Sequence, residues 1–243
     1  MIVAIHQPSY LPWLGYLDRM ARADLFVVLD HVQFERGNFQ NRTMIRMNDE
    51  ARWLTVPVAQ RSQKERILEK EIDNRLEGAR SWAPVHFSTL RHAYRDAPHA
   101  GLYAQALKEI FDARWRRLVD LDMALLGLLR DILGIRTPLV KSSDLGVEGM
   151  KSELILNLCR ELGADGFLGG MGGSRRYLDT AAFERAGIEV RWQAFRHPIY
   201  RQCGAAPFIP GLSALDLLFN CGPQSQDILL GQSEAMQESL AEA

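Results

Sequence analysis

Short apolar runs alternate along the chain with stretches in which apolar positions recur every three or four residues. Residues 2–5 and 25–29 are runs of the kind carried by strands buried on both faces. The loop from His6 to Pro12 separates them, because its two prolines suit neither a helix nor a ladder. Trp13, Leu14, Leu17 and Met20 then follow at helical spacing. A helix between two buried strands predicts a right-handed βαβ unit, and with it a parallel sheet.

Beyond a polar and aromatic loop at 30–41, short strands are predicted at 43–47 and 52–57. Residues 60–74 are dense in charge and read as an exposed excursion. Helical periodicity dominates 79–132, with breaks expected at Pro84, Pro98 and Gly101. In its last part Leu118, Leu121, Leu125, Leu128, Leu129 and Ile132 share one side, the mark of an amphipathic core helix. The final third predicts a strand at 136–141, a helix at 152–162 ended by Gly163, and a strand at 166–168. A helix at 180–186 ended by Gly187, a strand at 188–194 and a helix at 213–219 capped by Ser213 complete it. From 224 onward the chain is polar except at 228–230. Strands alternating with helices at both ends predict an α/β fold, Rossmann-like, with a mostly parallel sheet and a helical insertion in the middle of the chain. No linker composition divides it, so 1–243 is read as one domain with 79–133 as a helical subdomain.

Charge narrows the functional classes. Against 30 Asp+Glu the chain carries 29 Lys+Arg, a net −1, where gripping nucleic acid needs an excess of cations. A nucleic-acid partner is therefore not expected. Hydrophobic residues make up 47% and charged residues 24%, which excludes a disordered or fibrous chain. Cys159, Cys203 and Cys221 match no metal knuckle, so the expected compartment is the reducing cytoplasm. The first residues carry no basic n-region of a signal peptide. No apolar stretch approaches the ~18 residues that a membrane span needs.

In an open α/β sheet, ligands bind at the carboxyl ends of the strands. The residues expected there are rich in groups that donate, accept or titrate: His6 and Gln7, Asp30 and Gln33, Lys141, the turn around Arg175, and His197 with Tyr200. His6 is a candidate general base or neutral hydrogen-bond donor. It could equally satisfy its own loop. Asp30 ends an apolar strand, so its carboxylate is expected to point at the same crevice. The run Arg36, Asn38, Gln40, Asn41, Arg42 could clamp a carboxylate, phosphate or sugar, and taken alone it reads as a solvated loop. The loop GFLGGMGGSRRYLD combines glycines with two arginines, which suits a phosphate, or else simply joins strand to helix. Cys203 lies near His197, but nothing marks it as a thiolate and it reads as structural. No histidine or carboxylate spacing predicts a metal.

The segments IHQPSYLPWLGYLDRMARADLFVVLDHVQF and QNRTMIR resemble the WbqC-like family, as do GADGFLGGMGGSRRYLD, VRWQAFRHPIYRQ and FIPGLSALDLLFNCG. The likeness covers nearly the whole chain and is weakest in the middle helices. It implies a place in bacterial surface-polysaccharide (O-antigen) or other biosynthetic clusters. Positions matching the family pattern include His6, Gln7, Tyr10, Gly15, Tyr16, Asp30, Gln33, Asn41, Arg42, His197, Tyr200, Gln202, Ser213, Asp216 and Asn220. More distantly, the strand, HxP-aromatic loop and "VQF" order resembles the HIGH-type nucleotidyltransferases, pantothenate synthetase among them. That likeness implies an ATP phosphate chain over His6, with Gly172, Gly173, Ser174 and Arg175 holding phosphate. Tyr16 stands where the second histidine of that motif would be, and a KMSK-like lysine is absent.

Three functions are consistent with these residues. The first is an acyl or aminoacyl transferase that makes an amide or ester on an amine such as an amino sugar. His6, Asp30 and Gln33 would be catalytic, and Gln7, Tyr10, Tyr16, Asn41, Arg42, His197 and Tyr200 would contact the substrate. Its cosubstrate would be an acyl thioester, its partner a sugar nucleotide or carrier thioester. The second is an adenylate-forming or nucleotidyl-transfer enzyme using ATP and magnesium. The third is a non-catalytic binding protein of a polysaccharide pathway.

Overall fold

The computed structural model describes residues 1–170 and 172–231, except for the side chains of Ala79 and Ser174. Its first strand, β1 (Ile2–His6), runs through α1 (Leu14–Ala21) into β2 (Leu25–Val28), and the two strands pair in parallel from Val3↔Leu25 to His6↔Val28. An antiparallel hairpin follows, β3 (Arg42–Met47) and β4 (Glu50–Thr55), forming a sheet of its own. Three helices come next: α2 (Trp82–Ala93), α3 (Ala100–Asp112) and α4 (Leu118–Ile132). The chain then re-enters the main sheet with β5 (Leu139–Lys141), α5 (Lys151–Glu161) and β6 (Gly166–Gly169). The short α6 (Ser174–Tyr177), α7 (Thr180–Arg185), β7 (Glu189–Trp192) and α8 (Ala214–Cys221) follow.

The main sheet has the order β5-β2-β1-β6-β7 and every pairing is parallel, so the fold is Rossmann-like α/β. Its two faces carry different layers. Ala4, Phe26, Val28 and Leu168 pack with α1, the middle helices and α8 in one apolar cluster. Val3, Ile5, Val27 and Phe167 pack with α5 and Phe183 of α7 in another. Alternation along β1 sends successive side chains to opposite faces, and both faces are covered. This is why residues 2–5 are apolar without interruption.

Several local expectations change. Neither Pro84 nor Gly101 breaks a helix: Pro84 sits in the first turn of α2, where its missing N–H forfeits no intrahelical bond, and Gly101 lies within α3, while the strand expected over 136–141 is only β5. Residues 60–74 are not simply exposed. Ile67, Lys70 and Ile72 are buried there, and the charges neutralise one another, as in Lys70 Nζ to Glu65 at 2.8 Å and Arg66 to Glu69 at 2.6 Å. A charge-dense segment can therefore return to the core. The strand predicted over 188–194 is shorter, because only β7 pairs with β6, at the sheet edge. Two expected stops do hold: Gly163 takes φ +64° just after α5, and the Ser213 hydroxyl accepts the Leu215 N–H at the start of α8. Among the described residues no helix is long and apolar enough to cross a membrane.

Candidate functional site

At the carboxyl edge of the sheet, β1 continues into α1 on one face while β6 continues toward α7 on the other. Neighbouring strands whose connections diverge leave a crevice between them. Here that crevice is a cavity of about 810 Å³. Its walls come from distant parts of the chain. The end of β1 supplies His6 and Gln7, α1 supplies Tyr16 and Arg19, and the loop after β2 supplies Glu35, Asn38 and Gln40. The turn after β6 supplies Gly170, Gly172 and Gly173, and the stretch after β7 supplies Gln193, Phe195 and His197.

The two imidazoles are held alike. His6 Nδ1 lies 2.8 Å from the Gln7 carbonyl, and His197 Nδ1 lies 2.9 Å from the Pro198 carbonyl. A carbonyl only accepts, which places the ring proton of each neutral imidazole on Nδ1 and leaves Nε2 as an acceptor. The His6 ring stands edge-on to Tyr16, with centroids 4.7 Å apart. His197 packs against Phe195, Tyr200 and Phe208, and its Nε2 is buried without a partner. Burial holds the His197 pKa below the ordinary imidazole value, against the pull of the Pro198 carbonyl and the Asp216 charge.

Amides complete the polar wall. Gln40 donates to Gln7 Oε1 at 2.8 Å and accepts the Glu35 N–H at 2.9 Å. With its oxygen engaged, Gln7 presents its NH₂ as the remaining donor. Gln193 is anchored to the Gly15 carbonyl at 2.8 Å and to Asp18 at 2.6 Å, which joins the segment after β7 to α1. Arg19 is only 6% exposed, and burial pushes its pKa down to about 10, with the Tyr177 phenol acting in the opposite direction.

Of the residues expected from sequence, His6, Gln7, Gly15, Tyr16, Asn38, Gln40, His197, Gly172 and Gly173 meet at this cavity. The others lie elsewhere. Asp30 is 1% exposed and faces the end of β5, where its carboxylate accepts from Ser142 Oγ at 3.0 Å, the Ser143 N–H at 2.9 Å and Ser143 Oγ at 2.8 Å. Gln33 is exposed and donates to the Gln63 carbonyl. Tyr10 lies in the core with its hydroxyl 2.9 Å from His86 Nδ1. Asn41 donates to the Val56 carbonyl at 2.8 Å, and Arg42 bonds the Gly37 carbonyl while lying over the Trp53 ring. Tyr200 donates to Asp216 at 2.7 Å, and Gln202 does the same at 2.7 Å, so both tie the loop carrying His197 to α8. The Arg175 guanidinium stacks over Trp192, 5.0 Å from its centroid, and does not line the cavity. The Ser174 side chain lies outside the described atoms.

Reading the sequence did not single out Arg19, Glu35, Tyr177 or Gln193. For Arg19 a signal existed. Helix α1 is short and buried nearly all round, yet Asp18 and Arg19 stand in its middle. Charges inside a buried helix directly after a candidate site loop have to be answered by something.

A model of the WbqC-like protein family matches residues 7–228. The uncharacterised protein Rv1507c of Mycobacterium tuberculosis is 33% identical over 229 residues, covering 93% of this chain and 96% of its own length. No solved structure matches the chain.

Proposed function

The chain belongs to the WbqC-like family, and from that premise we propose that it is a biosynthetic transferase which joins an acyl or aminoacyl group to an amine such as an amino sugar, with His6 as general base. The observation that carries this reading is the His6 imidazole at the end of β1. Its Nδ1 is committed to a carbonyl, and its Nε2 is left to accept a proton beside a largely apolar cavity with a few polar groups, large enough for a small-molecule substrate. In the transfer, Nε2 of His6 takes the amine proton as nitrogen bonds to the acyl carbon. The proton then passes to the departing thiolate of an acyl thioester. The Gln7 NH₂ donates to the carbonyl oxygen as charge builds there, and the His197 ring, kept neutral by burial, forms part of the facing wall.

Asp30 acts from outside the cavity. By gripping Ser142 and Ser143 it fixes the start of the loop that delivers Glu35, Asn38 and Gln40. Gln33, Tyr10, Asn41, Arg42 and Tyr200 act in the same indirect way, each through a bond that holds a wall segment. The setting we propose is the surface-polysaccharide biosynthesis with which the family resemblance is associated.

The test is turnover of acyl thioesters with amino-sugar acceptors by the wild-type chain and by His6→Ala. The expected result is ATP-independent amide formation that falls at least ~100-fold in His6→Ala while the thermal melt stays within a few degrees. Pyrophosphate release that requires ATP and magnesium would move the chemistry to nucleotidyl transfer, a reading favoured by the sheet order and the glycine turn after β6. Ligand binding without turnover in either protein would leave a binding role alone.

A further inference from the structure

Arg19 is the cation of the cavity wall, since Glu35 is the other acidic or basic residue there besides the imidazoles among the described residues. Its Nε has no hydrogen-bond partner, and no carboxylate among the described residues lies within ion-pair distance. The neighbouring Asp18 is turned away, toward Arg22 at 2.9 Å and Gln193 at 2.6 Å. A buried guanidinium without a counter-charge is costly, and folding normally supplies a partner for it.

The place where it sits is built for it. A Cβ on Gly170 would fall 2.1 Å from Arg19 Nη1, so the guanidinium occupies the volume that any side chain at the end of β6 would take. By contrast, a Cβ on Gly172 or Gly173 would meet nothing within 4 Å, so open space faces both residues on the same wall. We propose that Arg19, seated against Gly170, is the binding site for an anionic group of the ligand, a phosphate or a carboxylate. The planar guanidinium fork matches either group with two parallel N–H donors. The anion site thus moves from the expected Arg175, which is spent on Trp192, to a residue in the first helix. This inference rests on the cavity being the ligand site and does not depend on the transfer chemistry.

The first test uses the wild-type chain. Phenylglyoxal adducts are mapped by mass spectrometry, with inorganic pyrophosphate in one arm, succinate in a second and chloride at equal ionic strength in a third. Labelling of Arg19 should slow at least about tenfold in an anion arm while labelling of Arg175 does not. Protection by pyrophosphate alone assigns a phosphoryl group, and protection by succinate alone assigns a carboxylate. Equal labelling of Arg19 in all three arms overturns the proposal. The second test is calorimetric titration with the protecting anion. Arg19→Gln and Gly170→Ala should weaken binding on the order of 10- to 100-fold, with Arg175→Gln unchanged. Wild-type affinity in both Arg19→Gln and Gly170→Ala overturns it as well. Neither measurement involves turnover, so failure here is separable from failure of the transferase reading.

Discussion

His86 on α2 should make the protein sensitive to acid. Its Nε2 lies 3.1 Å from the Thr55 carbonyl, so that nitrogen carries the proton, and its Nδ1 lies 2.9 Å from the Tyr10 hydroxyl, which donates to it. Both nitrogens are thereby satisfied in the neutral ring, which is 5% exposed. Protonating Nδ1 would charge a group inside the core and force the Tyr10 hydroxyl to give up the bond it donates there. Burial accordingly pushes the pKa down to about 4, against a smaller opposing effect of the Thr55 carbonyl. In the unfolded chain the same ring titrates near 6.5. Between these values the unfolded chain takes up a proton that the folded chain refuses. His86 therefore contributes stability that is complete above about pH 6.5 and is lost as pH falls toward 4. At ~1.4 kcal/mol per pH unit the loss reaches about 3 kcal/mol, a large part of what a domain of this size commonly has. The assay is urea unfolding of the wild-type chain and His86→Gln from pH 7.5 to 4. Gln can donate to Thr55 and accept from Tyr10 but does not titrate. The stability of the wild type relative to the variant should fall by about 3 kcal/mol across that range. Parallel curves, whatever their offset, would refute the reasoning.

Two further outcomes are expected. Asp122 on α4 is fully buried with neither carboxyl oxygen partnered, and burial holds its pKa well above the ordinary carboxylate range. Its effect on stability has the opposite sign to that of His86. Stability relative to Asp122→Asn should decline as pH rises above ~4, at up to ~1.4 kcal/mol per unit, in the same urea series; a pH-independent difference would count against it. Asp30→Asn disturbs three hydrogen bonds to a buried carboxylate and should cost about 2–3 kcal/mol by urea unfolding, whereas a melt unchanged from wild type would show that those bonds hold nothing.

Much of the cavity's reach depends on the loop after β2 and the loop after β7, and each is tethered by side chains that lie outside the cavity. Arg46 on β3 shows how this works. It is 3% exposed and bonds Gln202 at 2.9 Å, the Ala206 carbonyl at 2.9 Å and Asp49 at 2.8 Å. The hairpin therefore pins the segment beyond His197. Tyr200, Gln202 and Asp216 secure that segment without touching the cavity themselves.

The amino-acid sequence by itself determined the alternation of strand and helix, the parallel sheet and the strand-end edge at which the cavity lies. Period and burial are local: residues 2–5 and 25–29 are apolar throughout because each strand is covered on both faces, and a parallel βαβ order puts all carboxyl ends on one side. His6, Gln7, Tyr16 and His197 were legible for that reason. Only the tertiary structure decided which edge residues share a pocket. Pairing β1 with β6, rather than leaving β1 at an edge, brings the first helix against the glycine turn more than 140 positions later and makes Arg19 part of the wall. The same long-range partnering turns Asp30 away, because Ser142 and Ser143, over a hundred residues distant, satisfy its carboxylate at the neighbouring strand end. Direction at a strand end depends on which polar groups arrive beside it, and no periodicity along the chain records that.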